Sequence, residues 1–589
     1  MSLDTKERQQ LATGGALGDA FYPAFQSLFD EEGEFVDSVE DKLAQARMAD
    51  NVEMFLARAL AVGVIAGIAL WLVGSLVGFL AVNLFFSGSE GPVFIGIVIQ
   101  NEAVLAVIEA LKLPFLILVT GLVFGAVGFG VGFGSLVSIP YFRASARERE
   151  INILLSDAIS FMYALSVGGL NQLEILQAMA EADDTYGECA QEFKSIVLET
   201  EYFDTDYRTA VRNQAIQTPS DELSQFLTDM LSIINSGGDM TSFLEDQKEK
   251  HMRTTKQEQE KMLETLELFG EMYMTLSLFP LLLIIILVIM TMMGNAQQML
   301  IYGTVYGLIP LTGIAFLVLV STVTQDAVGD GYLRPNRDEE DVVVDEGIAV
   351  FNLGLVEQYT GSYSLFDRVK NREGTYELVQ ILKQPHLFFR DHPLLVLGLT
   401  LPLSVLSLAI AIVLGWAPLS LEGPAGMIQN PVSGTFFWVY VPMYINFLPL
   451  ALFYEWNQRS RKAIIGNLSE NLRKLASAND TGMTLLESIK VVSETSAGKL
   501  SDEFETMHAK VNYGTSLKDA LREFNNKYHV PRMARTVKLI SEAQEASSQI
   551  QDVLSTAAQA AENQDDIDRS RKSRTRMQTV IIIMTYLTL

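Results

Sequence analysis

Six long apolar segments alternate with polar helical segments along this chain. None of the six contains Asp, Glu, Lys, Arg or His. Each is long enough to cross the hydrocarbon core of a bilayer, which takes about 20 apolar residues in a helix. The pattern therefore predicts six membrane-spanning helices, near residues 59–82, 114–142, 272–293, 301–323, 394–416 and 433–454.

A seventh apolar segment begins at Gln578 and continues to Leu589. At 1.5 Å per residue it is about 18 Å long, which is too short to cross a bilayer. We expect the sequence to end inside a membrane helix. By analogy with the first half of the chain, a closing hairpin of about 40 to 50 residues is expected to follow.

The two largest polar segments are copies of one pattern. Residues 157–181 align without a gap with residues 470–494, and a glycine has the same place in both copies, at Gly169 and Gly482. Apolar residues recur at helical spacing, so each copy is predicted to form a helix, a glycine-containing turn and a second helix.

Further matches extend the duplication over several helices. They are Glu192-Phe193 with Glu503-Phe504, the stretch from Thr205 to Arg212 with that from Thr515 to Arg522, and Pro219 with Pro531. A repeat of this size indicates that one folded domain has been duplicated.

These elements predict an all-α polytopic membrane protein of two tandem units, in which transmembrane helices flank a helical-bundle domain. The predicted order is an N-terminal region (1–54), transmembrane hairpin 1 (55–142), helical domain 1 (143–270), transmembrane hairpin 2 (271–323), an acidic linker (324–393), transmembrane hairpin 3 (394–455), helical domain 2 (456–577) and the start of a truncated transmembrane segment (578–589).

Basic residues at the ends of the spans predict the orientation. The segments 87–113, 294–300 and 417–432 together contain one basic residue, Lys112. The other ends of the spans are rich in Lys and Arg, which membrane proteins keep on the cytoplasmic side. We therefore place the N-terminus, both helical domains and the linker in the cytoplasm. We expect no cleavable signal peptide, because the first 50 residues are polar and acidic.

The formal net charge is −28 and the pI is near 4.6, although the residues beside the spans are basic. The excess acid lies in the polar segments, as at residues 30–32 and 338–341. An acidic surface of this kind is typical of adaptation to a high-salt cytoplasm, where salt screens self-repulsion, and a basic partner is the alternative interpretation. The single cysteine, Cys189, excludes an intrachain disulfide.

The sequence contains no recognisable motif for catalysis or cofactor binding. The five histidines are scattered, and neither a phosphate-binding Walker motif nor a nucleophile-elbow serine occurs. The glycines between Gly121 and Gly134 fit no GxGxxG window and lie within an apolar span, so we interpret them as helix-packing positions. We therefore predict a protein that is not an enzyme and that holds no metal or cofactor.

Two sets of residues are candidates for contact with a partner. The first set is the basic clusters beside the spans. These clusters determine the topology, and they are also placed to bind a motor protein or lipid phosphates. Its members are Arg143, Arg147, Arg149, Arg459, Arg461, Lys462, Arg569, Arg571 and Lys572. The second set is the repeat turns, at Gly169, Gly482, Gly237 and Gly238. For the Ser236–Asp239 turn, a helix stop followed by an N-cap at Asp239 is the preferred interpretation.

The order of elements in the duplicated domain resembles the type II secretion system F domain. The resemblance rests on the glycine turn, the Leu173-Glu174 and Leu486-Glu487 pairs, the Thr-to-Arg stretch, the proline and the Ser-Gly-Gly-Asp turn, over residues 140–323 and from 455 onward. These positions are degenerate and include no catalytic signature. The second copy departs from the pattern at Ala546-Ser547-Ser548, where the first copy has Ser236-Gly237-Gly238.

The resemblance implies a platform protein in the inner, cytoplasmic membrane of an archaeal type IV pilus-like machine, in a salt-loving archaeon. In that family a cytoplasmic ATPase drives insertion of pilin subunits into a filament. The implied partners are the assembly or secretion ATPase, pilin or archaellin-like subunits, membrane lipids and a second copy of the chain, with no nucleic acid. An adhesive pilus, an archaellum and a secretion pilus all stay open.

A two-repeat transporter or channel is the main alternative. Duplication is common among transporters, but they normally need ionisable groups within their spans, and these spans have none. A membrane-bound enzyme and a sensor are further alternatives, which the missing motifs and the minimal outside loops respectively disfavour.

Overall fold

A computed structural model shows a helical membrane protein. It describes residues 18, 21–29, 33–86, 93–94, 97–98, 102–203, 205–294, 298–323, 329, 331–334, 385–418, 430–546 and 550–588. Among these residues, six helices are long and apolar enough to cross a membrane, as predicted. The acidic runs at 30–32 and 338–341 and residues 547–548 of the second repeat lie outside the described residues.

The described helices follow one another along both halves of the chain. They are α1 (Glu34–Gln45), α2 (Val52–Phe86), α3 (Glu102–Val167), α4 (Gln172–Ala180), α5 (Asp183–Tyr202), α6 (Tyr207–Gln217), α7 (Asp221–Ser236), α8 (Met240–Met292), α9 (Gln298–Gly303), α10 (Ile309–Val323), α11 (Pro385–Asp391), α12 (Val396–Val413), α13 (Pro431–Thr435), α14 (Val441–Ile465), α15 (Leu468–Asp480), α16 (Leu485–Thr495), α17 (Lys499–Asn512), α18 (Leu517–Tyr528), α19 (Pro531–Ala546) and α20 (Ile550–Thr588).

Short elements of other kinds join some of these helices. Strands β1 (Val93–Phe94) and β2 (Ile97–Val98) pair in an antiparallel hairpin between α2 and α3. The π-helical turns Thr304–Leu308 and Phe436–Tyr440 and the 3-10 turn Pro393–Leu395 adjoin apolar helices.

Two helices run without a break between an apolar span and helical domain 1 (143–270), which is called the first polar domain below; helical domain 2 (456–577) is the second polar domain. Helix α3 includes the predicted span 114–142 and continues to Val167, which makes it about 100 Å long at 1.5 Å per residue. Helix α8 begins at Met240, is mainly polar over its first half and then includes the predicted span 272–293. The predicted domain boundaries after residues 142 and 270 therefore fall inside continuous helices.

One packing unit comprises residues 1–159, 176–183 and 187–252. In its N-terminal part, Phe25 and Val39 are fully buried in an apolar cluster with residues of α1 and α2. Phe133, Val137 and Tyr141 of α3 pack against the same cluster. The N-terminal region is thus anchored on the first pair of apolar helices.

Glycines allow α2 and α3 to approach closely within this unit. A Cβ atom on Gly67 would lie 3.1 Å from the carbonyl oxygen of Gly125, and one on Gly128 would lie 2.7 Å from that of Ala66. A Cβ on Gly130, in contrast, would meet nothing within 4 Å. These contacts agree with the interpretation of Gly125 and Gly128 as helix-packing positions, but Gly130 and Gly134 have no such contact.

The second unit comprises residues 160–175, 184–186 and 253–589. Its polar domain has an apolar core built from α14 to α20. Leu468, Leu472 and Leu475, which have helical spacing in the sequence, are only 3%, 2% and 3% exposed. This core fixes the positions of the repeat turns and of the charged side chains around them.

Candidate functional site

The glycine turn has the same backbone geometry in both polar domains. Gly169 follows α3 with φ of +94°, and Gly482 follows α15 with φ of +88°. A residue with a Cβ atom adopts such angles only at a cost. A Cβ at either glycine would meet nothing within 4 Å, so the requirement is conformational and not steric. Both glycines are exposed.

The glutamate that follows each glycine caps the next helix. Asn171 Oδ1 accepts a hydrogen bond from the Glu174 N–H at 3.1 Å, and Glu174 Oε2 accepts one from the Asn171 N–H at 3.0 Å. Thr484 and Glu487 form the same reciprocal capping box in the second domain. Hydrogen bonds from the backbone and side chain of Thr484 lower the pKa of the Glu487 carboxyl. The repeated glutamate therefore has a structural role.

The Ser236–Asp239 turn joins α7 to α8. Gly237 has φ of +67° and ends α7 in the left-handed conformation, and the exposed Gly238 follows it. Asp239 accepts a hydrogen bond from the Ser242 hydroxyl at 2.6 Å, which together with other hydrogen bonds lowers the pKa of the Asp239 carboxyl. The geometry is that of a helix stop followed by an N-cap.

The basic residues of α3 differ in their exposure. Arg143 and Arg149 are exposed, but the side chain of Arg147 is only 10% exposed. Its guanidinium donates to Glu188 Oε2 at 2.7 Å and to Glu192 Oε1 at 2.5 Å. Arg147 is therefore held inside the domain and is not a surface cation, in contrast to the expectation from its position beside a span.

Glu192 is the centre of this buried network. Its side chain is 1% exposed, and besides Arg147 it accepts hydrogen bonds from Arg47 at 3.1 Å and from Gln214 Nε2 at 2.5 Å. A carboxylate buried to this degree is stable only with such donors. The network joins the segment after α1 to α3, α5 and α6.

The matching glutamate of the second domain has different donors. Glu503 accepts hydrogen bonds from Lys527 Nζ at 2.5 Å and from the Tyr528 hydroxyl at 2.6 Å. Burial and the Glu503 carboxylate raise the pKa of Tyr528. The sequence alignment pairs Glu192 with Glu503. In both helices this acidic residue lies next to a buried phenylalanine, and that repeated pattern is the sequence signal for a buried carboxylate.

The remaining basic candidates lie on α14 and α20. Arg459 and Lys462 are exposed and Arg461 is half-buried, and Arg459 forms an ion pair with Glu455 at 2.8 Å. The Arg459 hydrogen bond is the main cause of the lowered pKa of Glu455. On α20, just before the last apolar segment, Arg569, Arg571 and Lys572 are all exposed.

Each polar domain also exposes an aromatic side chain that the sequence did not single out. Phe203 follows α5 and is 77% exposed, and Tyr513 follows α17 and is 94% exposed. The two are equivalent, because each stands two residues before the matched threonine, Thr205 or Thr515. Exposed aromatics are frequent anchors in protein interfaces.

Within the described part of the chain, no group of three or more His, Cys, Asp or Glu residues is placed to hold a metal ion. Cys189 is buried, and burial raises the pKa of its thiol. A thiol in this state is a poor nucleophile.

Comparison with known proteins relates the chain to one family. Two segments, residues 158–288 and 472–589, match the family model of type II secretion system protein F. Flagella accessory protein J of Methanocaldococcus jannaschii is 26% identical over 141 residues, which are 24% of this chain and 25% of that protein. An uncharacterized protein of the same organism is 27% identical over 193 residues, 31% of this chain and 32% of its own length.

Flagella accessory protein J of Methanococcus voltae is 26% identical over 142 residues, 24% of this chain and 25% of that protein. The chain thus aligns with only a quarter to a third of the length of these curated relatives. No solved structure matches it.

Proposed function

We propose that this chain, in which residues 158–288 and 472–589 match the family model of type II secretion system protein F, is the membrane platform of an archaeal type IV pilus-like machine. In this role it couples a cytoplasmic assembly ATPase to the insertion of pilin or archaellin-like subunits into a filament. Two relatives named flagella accessory protein J support an archaellum-type machine within this class.

The continuity of α3 and α8 carries the proposal. Each helix is polar where it belongs to the first helical domain and apolar where it is long enough to span the bilayer. A force applied to the domain therefore reaches the bilayer through the helix backbone, without a flexible linker. The proposed role of this chain is mechanical and not catalytic, and the energy for assembly comes from the partner.

The proposed motor surface lies on the cytoplasmic side of the membrane, with both helical domains and the N-terminus. Exposed cations close to the spans, such as Arg459 and Lys462, offer charge to an acidic rim of the motor or to lipid phosphates. The exposed aromatics Phe203 and Tyr513 offer one apolar anchor on each domain. Pairing of two copies of the chain would double these contacts.

The test measures binding between the full chain in lipid nanodiscs and the cognate assembly ATPase, in high salt. We expect saturable binding and altered ATP turnover. Replacing Phe203 and Tyr513 by serine should weaken binding at least about tenfold, the usual scale for an aromatic interface anchor. Both side chains are largely exposed, so the domains should stay folded.

Charge reversal at Arg459, Arg461 and Lys462 should weaken binding further, and more so as the salt concentration falls. The matched control is Lys490→Glu, which reverses an exposed cation on α16. An ATPase that does not bind, or that binds all variants as tightly as the unaltered chain, contradicts the proposal. Ion or solute flux through proteoliposomes would then support the transporter alternative.

A further inference from the structure

A piece of the linker, Gly331–Arg334, lies on the second polar domain at the end of α18. Asn525 Nδ2 donates a hydrogen bond to the Gly331 carbonyl at 2.8 Å. Asn526 accepts one from the Leu333 N–H and donates one to the Leu333 carbonyl, both at 2.8 Å. The Leu333 side chain is 5% exposed and belongs to the core of the domain. Two amides and one apolar contact of the second domain hold this short peptide in place, and Asp184 Oδ2 on α5 accepts a further hydrogen bond from the Arg334 N–H at 3.2 Å.

The fit of this peptide to the domain is close. A Cβ on Gly331 would lie 2.7 Å from the backbone between His529 and Pro531, so only glycine fits there without rearrangement. Tyr332 stacks on the His529 ring with a centroid distance of 5.9 Å. The turn before α19 thus forms one wall of a peptide-binding surface.

The duplication identifies the matching surface of the first domain. The alignment that pairs Thr205 with Thr515 continues without a gap along α6 and resumes at the proline after two extra residues in the second copy. It pairs Ala215 with Asn525, Ile216 with Asn526, Thr218 with Val530 and Pro219 with Pro531.

The four first-domain residues line a cavity of about 520 Å³. Its other walls come from α1, α3 and α7, with Lys42, Glu148 and Leu231 among the lining residues. A cavity of this volume falls within the about 300–1,000 Å³ typical of ligand sites. Among the residues that the structure describes, no segment fills this cavity, whereas Gly331–Arg334 covers the matching surface of the second domain.

The chemistry of the open site differs from that of its covered counterpart. Ala215 and Ile216 replace the two asparagines, so the peptide-binding amides are missing and aliphatic surface takes their place. Ile216 is 76% exposed, which is unusual for an isoleucine on a polar domain. Lys42 and Arg212 bring positive charge to the cavity, and Glu148 and Asp221 bring negative charge.

We propose that this first-domain cavity is a docking site for a short peptide segment of a partner protein, which packs an apolar side chain against Ala215 and Ile216. The second domain shows the kind of occupant, because Gly331–Arg334 fills the equivalent surface there. This site is separate from the exposed cations of α14 and α20 and from Phe203 and Tyr513. The proposal is therefore independent of whether those residues contact a motor.

The probe is a fluorescent peptide with the sequence of residues 329–336, titrated into the full chain in nanodiscs and followed by anisotropy. We expect saturable binding of one peptide per chain. A peptide with Leu333→Asp should bind at least about tenfold more weakly, because it loses the apolar contact. The variant Ile216→Asp should lose binding to a similar extent.

A gain-of-function variant makes the test independent of misfolding. Ala215→Asn alone keeps the apolar side chain of Ile216, installs the amide that the second domain has at Asn525 and should tighten binding about tenfold, the effect of one added hydrogen bond. A photo-cross-linker in place of Tyr332 in the probe should label the segment 212–231.

Exchange of the probe into the second domain is controlled by Leu333→Asp in the chain itself. This change loosens the chain's own peptide but keeps the Asn525 and Asn526 amides, so it should add a second binding event without altering the first. The proposal is overturned by three results: no saturable binding up to millimolar peptide, binding unchanged by Ile216→Asp, or cross-links confined to the second domain.

Discussion

Replacing Arg147 by methionine tests whether this residue is a structural cation or a docking cation. Methionine keeps much of the apolar volume but removes the hydrogen bonds to Glu188, to Glu192 and to the Gln45 carbonyl. Removing one partner of a buried ion pair costs about 3–5 kcal/mol. Arg47 and Gln214 still donate to Glu192, so we expect the lower end, about 3 kcal/mol.

Hydrogen exchange of the amides of α5 in the full chain measures this loss directly, because local opening free energies set the exchange rates. A loss of about 3 kcal/mol corresponds to exchange that is about a hundredfold faster. The matched control is Lys510→Met, since the Lys510–Glu523 pair is 47% and 53% exposed and should contribute less than about 1 kcal/mol.

A double-mutant cycle with Glu192→Gln isolates the pairwise term. The double variant should be more stable than the sum of the single changes predicts, because neither change then leaves a buried charge alone. Exchange in Arg147→Met that stays within about threefold of the unaltered chain would refute the buried-pair reasoning. Arg147 would then return to the set of candidate docking cations.

Three further predictions concern the turns and the apolar helices. Gly482→Ala should destabilise the second domain by about 1–2 kcal/mol in thermal unfolding, because φ is positive at this residue. The control Gly270→Ala lies inside α8 and should be neutral or stabilising. Equal effects of the two changes would contradict the backbone argument. Gly128→Leu should disrupt the contact between α2 and α3 and lower the yield of folded protein, whereas Gly130→Leu should be tolerated. Equal yields of the two variants would show that the close approach of the helices is unimportant. The lowered pKa of Glu487 means that its carboxylate stabilises the domain above pH 4.5 and that this contribution is lost as the pH falls through the lowered pKa. Glu487→Gln should therefore melt at a lower temperature than the unaltered chain at about pH 7 but not at about pH 3, and a gap independent of pH would exclude the capping carboxylate as its cause.

The sequence was sufficient for the spans, the duplication and the turns, because each leaves a local signal. Spans are long runs without charge, and the turn needs a glycine wherever φ is positive, as at Gly169 and Gly482. The Leu-Glu pairs were visible as repeats, and their capping role follows from the spacing to Asn171 and Thr484.

The environment of the charged residues could not be predicted in the same way. Arg143, Arg147 and Arg149 lie in one short basic segment, so their neighbours in the sequence do not distinguish them. The partners of Arg147, Glu188 and Glu192, lie on a different helix. Burial there depends on tertiary packing that no local pattern encodes. The exposure of Phe203 and Tyr513 was missed for the opposite reason, since an aromatic residue near an apolar helix is ordinarily expected in the core.

The unbroken course of α3 has a geometrical consequence for movement in the membrane. If this helix tilts by about 5° around the middle of its apolar span, near Gly128, its end at Val167 moves sideways by about 5 Å, because that arm is about 58 Å long. Conversely, a displacement of a few ångströms in the bilayer requires only a small push at the far end, applied over a longer distance. In the proposed platform role, leverage of this kind would convert the longer stroke of a motor into a larger force where a subunit leaves the lipid.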